Sequence, residues 1–517
     1  MSRKLLKSTL LVGVMTLISR VAGLVRDIVL ANIVGSGLVA DAFFVAFRIP
    51  NFFRRIFGEG AFSQAFIPVY SEYRETRSAE EGRAFLDHVT GMLGAVLAML
   101  TLIGIWAAPG FVTVIAPGYL HEPDKFSITV DALRITFPYL LFISLVAMSA
   151  GILNTCGRFA VPAVTPVLLN LCMIAAALWL VPFTANKAEA VSLGVLAAGV
   201  LQLALQIPYL RRENALPFPR PSIKDPGVRR VFRLMLPAMF GVSVAQINIL
   251  VGTLLASFLV TGSVSWLYYS DRVMEFPLGV FGIALATVML PSLSKLHAKR
   301  HTEAFSEMLD WSLRWAVLIC VPAMIGLVLL GIPILSTLFL HGRTTPDDIR
   351  MMSLSLAGYA VGLTAFVLVK VLAPGFFARQ DTKTPVKVAA VAMVVNIILS
   401  LVLVSPMRHA GLALATSLAA WVNALLLLHL LIQEGIFKPQ PGWPAFLVKV
   451  GIAATAMSLV LVFGVASADV WMARGTVARA GGLAAWVGAG AAVYFLVILV
   501  CGIRPGQLIL KRAEFDQ

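Results

Sequence analysis

The chain has 517 residues, of which 59% are hydrophobic and only 13% are charged, and its mean hydropathy is +0.89. These values are typical of a protein whose main solvent is lipid and argue against a string of soluble domains. The net charge of +15 would suit nucleic acid, but the basic residues lie in short loops between apolar runs. The positive-inside rule explains that pattern better, so we expect no nucleic acid partner.

Fourteen apolar runs are long enough to cross a membrane. A spanning helix needs about 20 apolar residues because the hydrocarbon core is about 30 Å thick. The first run is too long and too charged for a cleavable signal peptide. The sequence therefore predicts an all-α polytopic membrane protein with 14 transmembrane helices, near residues 8–33, 41–70, 88–112, 129–155, 161–183, 190–210, 233–260, 264–294, 311–340, 351–377, 385–405, 410–433, 443–467 and 481–503.

Basic loops set the predicted orientation. The connection between the sixth and seventh runs belongs in the cytoplasm by the positive-inside rule, because it holds Arg211, Arg212, Arg220, Lys224, Arg229, Arg230 and Arg233. Counting outward puts the segments with Arg74 and with Lys295 on the same side, and the loop around Gly35 on the other. Both termini are then cytoplasmic.

A weak internal repeat indicates two halves. Residues 37–70 resemble residues 262–296, with Arg48 against Arg272, and residues 157–166 echo residues 378–387. Two pseudo-symmetric six-helix lobes that rock around a central cavity fit both echoes, although pseudo-symmetry without a cavity is an alternative. The predicted parts are an N-lobe (1–212), a cytoplasmic basic linker (213–232), a C-lobe (233–435) and two C-terminal helices (436–517).

Charged side chains inside the predicted spans are the main functional signal. Each costs about 2.5 to 3.5 kcal/mol on insertion scales, so it normally faces a cavity or a partner. Spacing puts Arg20 and Asp27 on one face of the first helix. A polar stripe at seven-residue spacing is predicted on the second helix, and a compact cluster on the eighth. The charges in question are Arg20, Arg26, Asp27, Asp41, Arg48, Arg54, Arg55, Glu59, Asp271, Arg272 and Glu275.

Two interpretations of these charges compete. Internal salt bridges would account for Asp27, Arg48, Arg55 and Glu59. For Arg20, Arg54 and Arg272, cations outnumber nearby acids, which favours an anion from outside the protein. A guanidinium's planar fork and permanent charge suit a phosphate or diphosphate. Lys370 stands alone in the tenth helix and is left out of the predicted site, because a snorkelling role explains it equally well.

Other classes of function lack their signals. No P-loop motif occurs, so we expect an ion gradient or the membrane potential, not ATP, to drive transport. The seven histidines are scattered without metal-ligand spacing, so no metal, cofactor or catalytic residue is predicted. The cysteines fit neither a metal site nor a disulfide framework and are expected to be packing residues: Cys156, Cys172, Cys320 and Cys501.

At these charged segments the chain resembles the MurJ (MviN) family of lipid II flippases, in the multidrug/oligosaccharidyl-lipid/polysaccharide (MOP) exporter superfamily. The resemblance covers essentially the whole chain. Its most specific stretches are SRVAGLVRD at Ser19–Asp27, ADAFFVAFRIPNFFRRIFGEGAFSQAFIPV at Ala40–Val69, WLYYSDRVMEFPLGVFG at Trp266–Gly282 and KVLAPGFFARQDTKTPVK at Lys370–Lys387.

The resemblance implies fourteen helices in two lobes, a V-shaped cationic cavity, and a hydrophobic groove formed by the last two helices for a polyprenyl tail. Arginines that are essential in the family carry over to Arg20, Arg26, Arg54 and Arg272, and its essential acid carries over to Asp41. We predict that the four arginines bind the diphosphate headgroup. The charges predicted to be charge partners or gating residues are Asp27, Asp41, Arg48, Arg55, Glu59, Asp271 and Glu275. Some relatives are thought to bind sodium through acidic residues that include one in the seventh helix. Here that helix has Gln246 and Asn248 but no acid, so we do not expect sodium coupling.

The predicted function is alternating-access transport of lipid II, an undecaprenyl-diphosphate-linked disaccharide-pentapeptide, across the cytoplasmic membrane. We expect a monomer among membrane lipids, with proteins of cell wall synthesis or division as candidate partners. A flippase for another undecaprenyl-linked oligosaccharide is the nearest alternative. A drug or cation antiporter would need surplus acids, and a membrane enzyme acting on undecaprenyl lipids would need a metal or acid/base cluster.

Overall fold

The computed structural model describes residues 3–503. Within that range, the side chains of residues 3–12, 57–59, 240–245, 283–284 and 286–288 are not described. Between residues 3 and 503 the chain is mostly helical and contains no β-strand. The chain divides into two compact units, residues 1–265 (the first unit) and residues 266–517 (the second unit).

The first unit contains ten helices within the described residues. Short π-helical segments at Arg55–Gly60 and Ala176–Leu180, and 3₁₀ turns at Pro117–His121 and Val181–Phe183, interrupt the α-helical order. The helices are α1 (Arg3–Ile33), α2 (Leu38–Arg54), α3 (Ala61–Thr76), α4 (Ala79–Trp106), α5 (Ala108–Ile115), α6 (Pro123–Thr136), α7 (Tyr139–Thr155), α8 (Ala160–Ala175), α9 (Lys187–Arg212) and α10 (Pro226–Ser257).

The second unit continues from α11, whose first turn still belongs to the first unit. A π-helical segment at Leu278–Gly282 follows α11. The helices are α11 (Ser263–Pro277), α12 (Ile283–Ala298), α13 (Thr302–Leu329), α14 (Gly331–Phe339), α15 (Pro346–Ala360), α16 (Leu363–Phe377), α17 (Lys383–Gln433), α18 (Trp443–Gly464), α19 (Ala468–Met472) and α20 (Thr476–Val500).

Nine helical stretches within the described residues are long and apolar enough to cross a bilayer. Exposed leucine, valine and phenylalanine side chains cover their outer faces, as at Leu102, Phe463 and Leu496. A soluble protein rarely exposes such a large apolar surface, because water penalises it. The fold is therefore that of a polytopic membrane protein, as predicted.

The order of elements repeats along the chain. In the first unit, α2, a π segment, α3, the broken pair α4–α5 and the broken pair α6–α7 follow one another. In the second unit, α11, a π segment, α12, α13–α14 and α15–α16 follow in the same order. The stretches 37–70 and 262–296, which resemble each other in sequence, contain the π segments Arg55–Gly60 and Leu278–Gly282.

Helix α17 is two helices joined at a sharp bend. Arg408 has φ 49° and ψ −130°, far from helical values, and Pro406 lies just before it. A proline removes a backbone donor and clashes with the preceding turn, so the helix cannot continue straight. The bend falls in the gap between the predicted eleventh and twelfth spans.

Small residues let the helices of the first unit approach closely. A Cβ at Gly194 would lie 2.6 Å from the Ala176 side chain, and a Cβ at Gly199 would lie 2.8 Å from the Tyr139 ring. Helix α9 therefore packs tightly on the elements that precede it. Close contact between small residues replaces the hydrophobic effect as the source of helix association in lipid.

The predicted linker, residues 213–232, is docked and partly helical. Residues 226–232 form the start of α10, whose N-terminal amides are capped by Asp225. The Phe218 amide donates to the Asp87 carboxylate at 2.7 Å, and the Arg220 amide donates to the Asp87 carbonyl at 3.0 Å. The predicted lobe boundaries themselves stay a prediction.

Candidate functional site

The charges of α1 lie in two different environments. Arg26 and Asp27 are 7% and 1% exposed, and the Arg26 Nη2 atom is 2.7 Å from Asp27 Oδ1. Arg26 Nη1 also donates to Asn170 Oδ1 on α8 at 3.0 Å, and Asn170 Nδ2 donates to the Ser19 carbonyl. Arg20, by contrast, is exposed, so it does not share the buried environment of Asp27.

Asp41, at the start of α2, is the centre of a buried polar network. Its Oδ2 atom accepts the Gly262 amide at 2.7 Å, and its Oδ1 atom accepts the Ser265 amide at 2.8 Å and the Ser265 hydroxyl. These donors belong to the α10–α11 turn and the first turn of α11. A carboxylate at a helix N-terminus satisfies amides that have no partner within the helix.

Lys125 on α6 completes this network. Its Nζ atom lies 3.3 Å from Asp41 Oδ2, and both side chains are 1% exposed. Lys125 also donates to Thr261 Oγ1 at 3.2 Å, while Thr261 donates to Glu122 Oε2 at 2.9 Å. The Tyr119 ring covers the ammonium at 4.3 Å. We call Asp41, Glu122, Lys125 and Thr261 the Asp41 network.

Sequence analysis missed Lys125 and Glu122, because both precede the predicted fourth span at 129–155. Helix α6 in fact begins at Pro123. The missed signal was a proline at the first helical position followed by an acidic residue, which is a common helix start. That signal would have extended the predicted helix to include Lys125.

The stripe on the second predicted helix contacts α10. Arg48 Nη1 donates to Thr253 Oγ1 at 2.6 Å, and Arg55 Nη1 donates to Gln246 Oε1 at 3.2 Å. Asp41 accepts a hydrogen bond from Gly262, in the turn that follows α10. The three side chains at seven-residue spacing thus all contact α10 or this turn. The Glu59 side chain lies outside the described residues.

Arg54 lies beside this stripe and lines a cavity. The guanidinium is half-buried, and its Nε atom donates to Asn51 Oδ1 at 3.0 Å. The cavity has a volume of about 510 Å³ and lies among α1, α2, α3, α7, α8 and α9. A permanent cation on a cavity wall is suited to hold an anionic group there.

The second unit holds the cluster of the eighth predicted helix. Arg272 Nη1 lies 2.7 Å from Glu275 Oε2 one turn later, and its guanidinium lies 5.1 Å from the Tyr268 ring centroid. The side chains of Arg272 and Glu275 are 38% and 46% exposed, while Asp271 is half-buried. This pair is more accessible than the buried pair of Arg26 and Asp27.

No group of three or more metal-binding side chains occurs among the residues that the structure describes. None of the four cysteines forms a disulfide bond. Lys370 lies on α16 beside the π segment Leu278–Gly282, where its Cδ atom would be 3.0 Å from a Cβ at Gly282. The predicted roles of the charged residues in binding stay predictions.

Comparison with known proteins gives matches over almost the whole chain. The family model described as lipid II flippase MurJ matches residues 30–478. A probable lipid II flippase MurJ of Vibrio cholerae serotype O1 is 44% identical over 98% of this chain and 98% of its own length. The lipid II flippase MurJ of Burkholderia cenocepacia is 39% identical over 97% of this chain and 98% of its own length.

Solved structures give the same result. A lipid II flippase MurJ in an inward closed conformation superposes with a TM-score of 0.79 at 27% identity, covering 95% of this chain and 98% of that one. An inward-facing multidrug resistance MATE transporter of the MOP superfamily shares the fold, with a TM-score of 0.65 at 14% identity over 81% and 95% of the two chains. The chain belongs to the lipid II flippase MurJ family.

Proposed function

We propose that this chain moves lipid II from the cytoplasmic to the periplasmic leaflet of the bacterial cytoplasmic membrane, for use in cell wall synthesis. The observation that carries the proposal is the full-length match, at 44% identity, to a relative named as a probable lipid II flippase. The apolar helices place the chain in the membrane as a multi-pass protein. A flippase is a transporter and not an enzyme.

The proposed architecture has fourteen spans, in two six-helix lobes followed by two C-terminal helices. The repeated order of elements supports it, because the same series of helices and breaks recurs in each unit. The bend at Arg408 supports the count, because it divides α17 into two lengths that each suffice to cross a bilayer. Rocking of such lobes gives alternating access.

The diphosphate of lipid II is the proposed ligand of Arg20, Arg54 and Arg272. Arg20 is exposed, Arg54 lines a cavity and Arg272 is partly accessible. Charge-assisted hydrogen bonds from a guanidinium to phosphate oxygens are about twice as strong as neutral ones. Arg26 would join them only after exchanging Asp27 and Asn170 for the substrate, because it is now bound to both.

We propose that the Asp41 network links the helices of the first unit to one another at their periplasmic end. It joins the starts of α2 and α6 to the α10–α11 turn through buried ionic and hydrogen bonds. Outward opening would then need Asp41 to release these donors. Ligand binding shifts such an equilibrium only as far as it favours one state over the other.

Several further properties are proposed on the sequence alone. Both termini would lie in the cytoplasm, next to the basic loops. The membrane potential or an ion gradient would drive the cycle without ATP or a cofactor. The protein would act as a monomer among membrane lipids, with cell wall or division proteins as candidate partners.

The experiment that tests the function measures the leaflet distribution of lipid II in cells depleted of this protein. Wild-type complementation should restore lipid II to the periplasmic leaflet, and Arg272→Ala should lower the flipping rate about tenfold or more, because a charged contact to the diphosphate is lost. Arg134→Ala is the matched control, since Arg134 is exposed and pairs only weakly with Asp131 at 3.5 Å. A normal lipid II distribution in depleted cells would instead favour another undecaprenyl-linked oligosaccharide as the substrate.

A further inference from the structure

The cavity that Arg54 lines is bordered mainly by neutral polar and apolar side chains. Among the residues that the structure describes, its walls carry one permanent charge, Arg54, and otherwise neutral side chains. Cavities of about 300 to 1,000 Å³ with a few convergent polar groups are typical of small-molecule sites. The neutral polar residues that line it are Ser19, Ser63, Tyr139, Asn154, Thr165, Asn170, Gln202 and Gln206.

Hydrogen bonds fix the orientation of the two glutamine amides. Gln202 Nε2 donates to the Thr165 carbonyl at 2.9 Å, and Gln206 Nε2 donates to Thr165 Oγ1 at 3.2 Å. The Thr165 hydroxyl itself donates to the Val161 carbonyl at 2.8 Å, so towards Gln206 it can only accept. The amides therefore cannot be turned over without losing these bonds.

This orientation leaves two acceptors without a donor. The Oε1 atoms of Gln202 and Gln206 are buried and have no hydrogen-bond partner within the described part of the chain. The two residues are 1% and 0% exposed. Buried carbonyl groups without a partner are rare in proteins because their desolvation is not repaid, and each one calls for an explanation.

The chemistry of the wall selects the ligand. Free acceptors need a ligand that donates O–H or N–H groups. A metal cation is disfavoured, because the Arg54 guanidinium lines the same cavity and repels it. A second anion would meet amide and hydroxyl oxygens instead of further cations. A neutral group rich in hydroxyl and amide hydrogens remains, and a sugar has this chemistry.

We propose that this cavity is the subsite for the uncharged saccharide part of the lipid II headgroup, next to the diphosphate at Arg54. The inference rests on the proposed function. Lipid II carries its disaccharide directly on the diphosphate, so a sugar subsite must adjoin a phosphate-binding cation, as this cavity adjoins Arg54. Gln202 and Gln206 line the cavity, and a small movement of their side chains brings the buried Oε1 atoms to the sugar as hydrogen-bond acceptors. Asn154 lines the cavity from α7.

The test compares two lipids on the purified full-length protein in nanodiscs. Lipid II carries the sugars, whereas undecaprenyl diphosphate carries only the phosphates. Gln206→Met keeps the length of the side chain and removes its polar atoms. It should weaken lipid II binding about three- to tenfold, as the loss of one hydrogen bond does, and leave undecaprenyl diphosphate binding unchanged. Arg54→Ala should weaken the binding of both lipids.

Two further variants provide a control and a second test of the subsite. Gln64→Met is the control, because Gln64 is exposed on α3 and does not line the cavity. Asn154→Leu, on α7, tests the same subsite if Gln206→Met does not fold, and it should likewise reduce only lipid II binding. A fold-change at Gln206→Met that is equal for both lipids, or no change for either, would overturn the subsite and leave the cavity a place for water.

Failure of the proposed function would look different. In that case the wild-type protein would not prefer either polyprenyl lipid over an anionic phospholipid in the same nanodiscs. The subsite alone fails when wild-type protein binds both polyprenyl lipids and the cavity variants do not change the preference for the sugar-bearing one.

Discussion

At the scale of single residues, Lys125 shows how a membrane protein stabilises a charge inside its fold. The ammonium has Asp41 at 3.3 Å, Glu122 at 3.6 Å, the Thr261 hydroxyl and the Tyr119 ring around it. An isolated buried ammonium would be very costly, and this set of partners offsets the cost. Burial of the Lys125 ammonium therefore depends on these partners, and burial of the Asp41 carboxylate depends in turn on Lys125.

Lys125→Met should destabilise the protein by about 3 kcal/mol, because it leaves the Asp41 carboxylate buried without its ammonium partner. Thermal and denaturant unfolding of the purified protein would measure the loss. Lys299→Met, at an exposed position, is the control. The double variant Lys125→Met/Asp41→Asn should regain part of the stability, and equal stabilities for the single and double variants would argue against a coupled pair.

The candidate site was only partly predictable from residue spacing. Arg272 and Glu275 are three apart on a helix, and the rule that such residues are neighbours anticipates their contact. Arg26 and Asp27 are adjacent, and adjacent residues do not face each other on a helix by the same rule. Their contact depends on the long arginine side chain and on Asn170 from α8, which one helix's sequence does not reveal.

At the scale of elements, the linker before α10 illustrates a close approach of backbones. A Cβ at Gly91 on α4 would lie 2.4 Å from the Arg220 carbonyl carbon and the Pro221 nitrogen. The clash involves backbone atoms, which cannot rotate away as a side chain can. Only glycine at this position lets the linker lie directly on α4.

Gly91→Ala should therefore displace the linker from α4 at a cost of about 1 to 3 kcal/mol, typical of overpacking. Limited trypsin digestion should then cleave the linker faster after Lys224, whereas the Arg220–Pro221 bond resists trypsin. Gly94→Ala is a matched control on the same helix, because a Cβ there meets nothing within 4 Å. Identical cleavage rates in the two variants would contradict the close approach.

The elements themselves were predicted well where long apolar runs decide the structure. Helix α9, for example, covers the predicted sixth span, and α20 covers the predicted fourteenth span except for its last three residues. The π segments, such as Leu278–Gly282, and the break after α4 were not predicted. Such breaks arise from packing between distant helices, and hydrophobic periodicity does not record that packing.

At the scale of the whole molecule, the predicted topology assigns each loop to one side of the membrane. Ser78, before α4, should face the cytoplasm, and Gly342, between α14 and α15, should face the periplasm. Single cysteines at these positions, in a variant without the native cysteines, should react differently with a membrane-impermeant maleimide. Only Gly342→Cys should be labelled in intact cells, while both should be labelled after lysis. Labelling of Ser78→Cys in intact cells would reverse the orientation.

The burial of Asp41 and Lys125 has a consequence for the effect of salt. Mobile ions screen exposed charges within about 10 Å at 0.1 M salt, but they do not enter a packed interior. The exposed pair of Arg350 and Asp469 should thus weaken as salt rises, whereas the pair of Asp41 and Lys125, each 1% exposed, should not. In a cell whose surroundings change from dilute to saline, the attraction between Asp41 and Lys125 would keep the same strength.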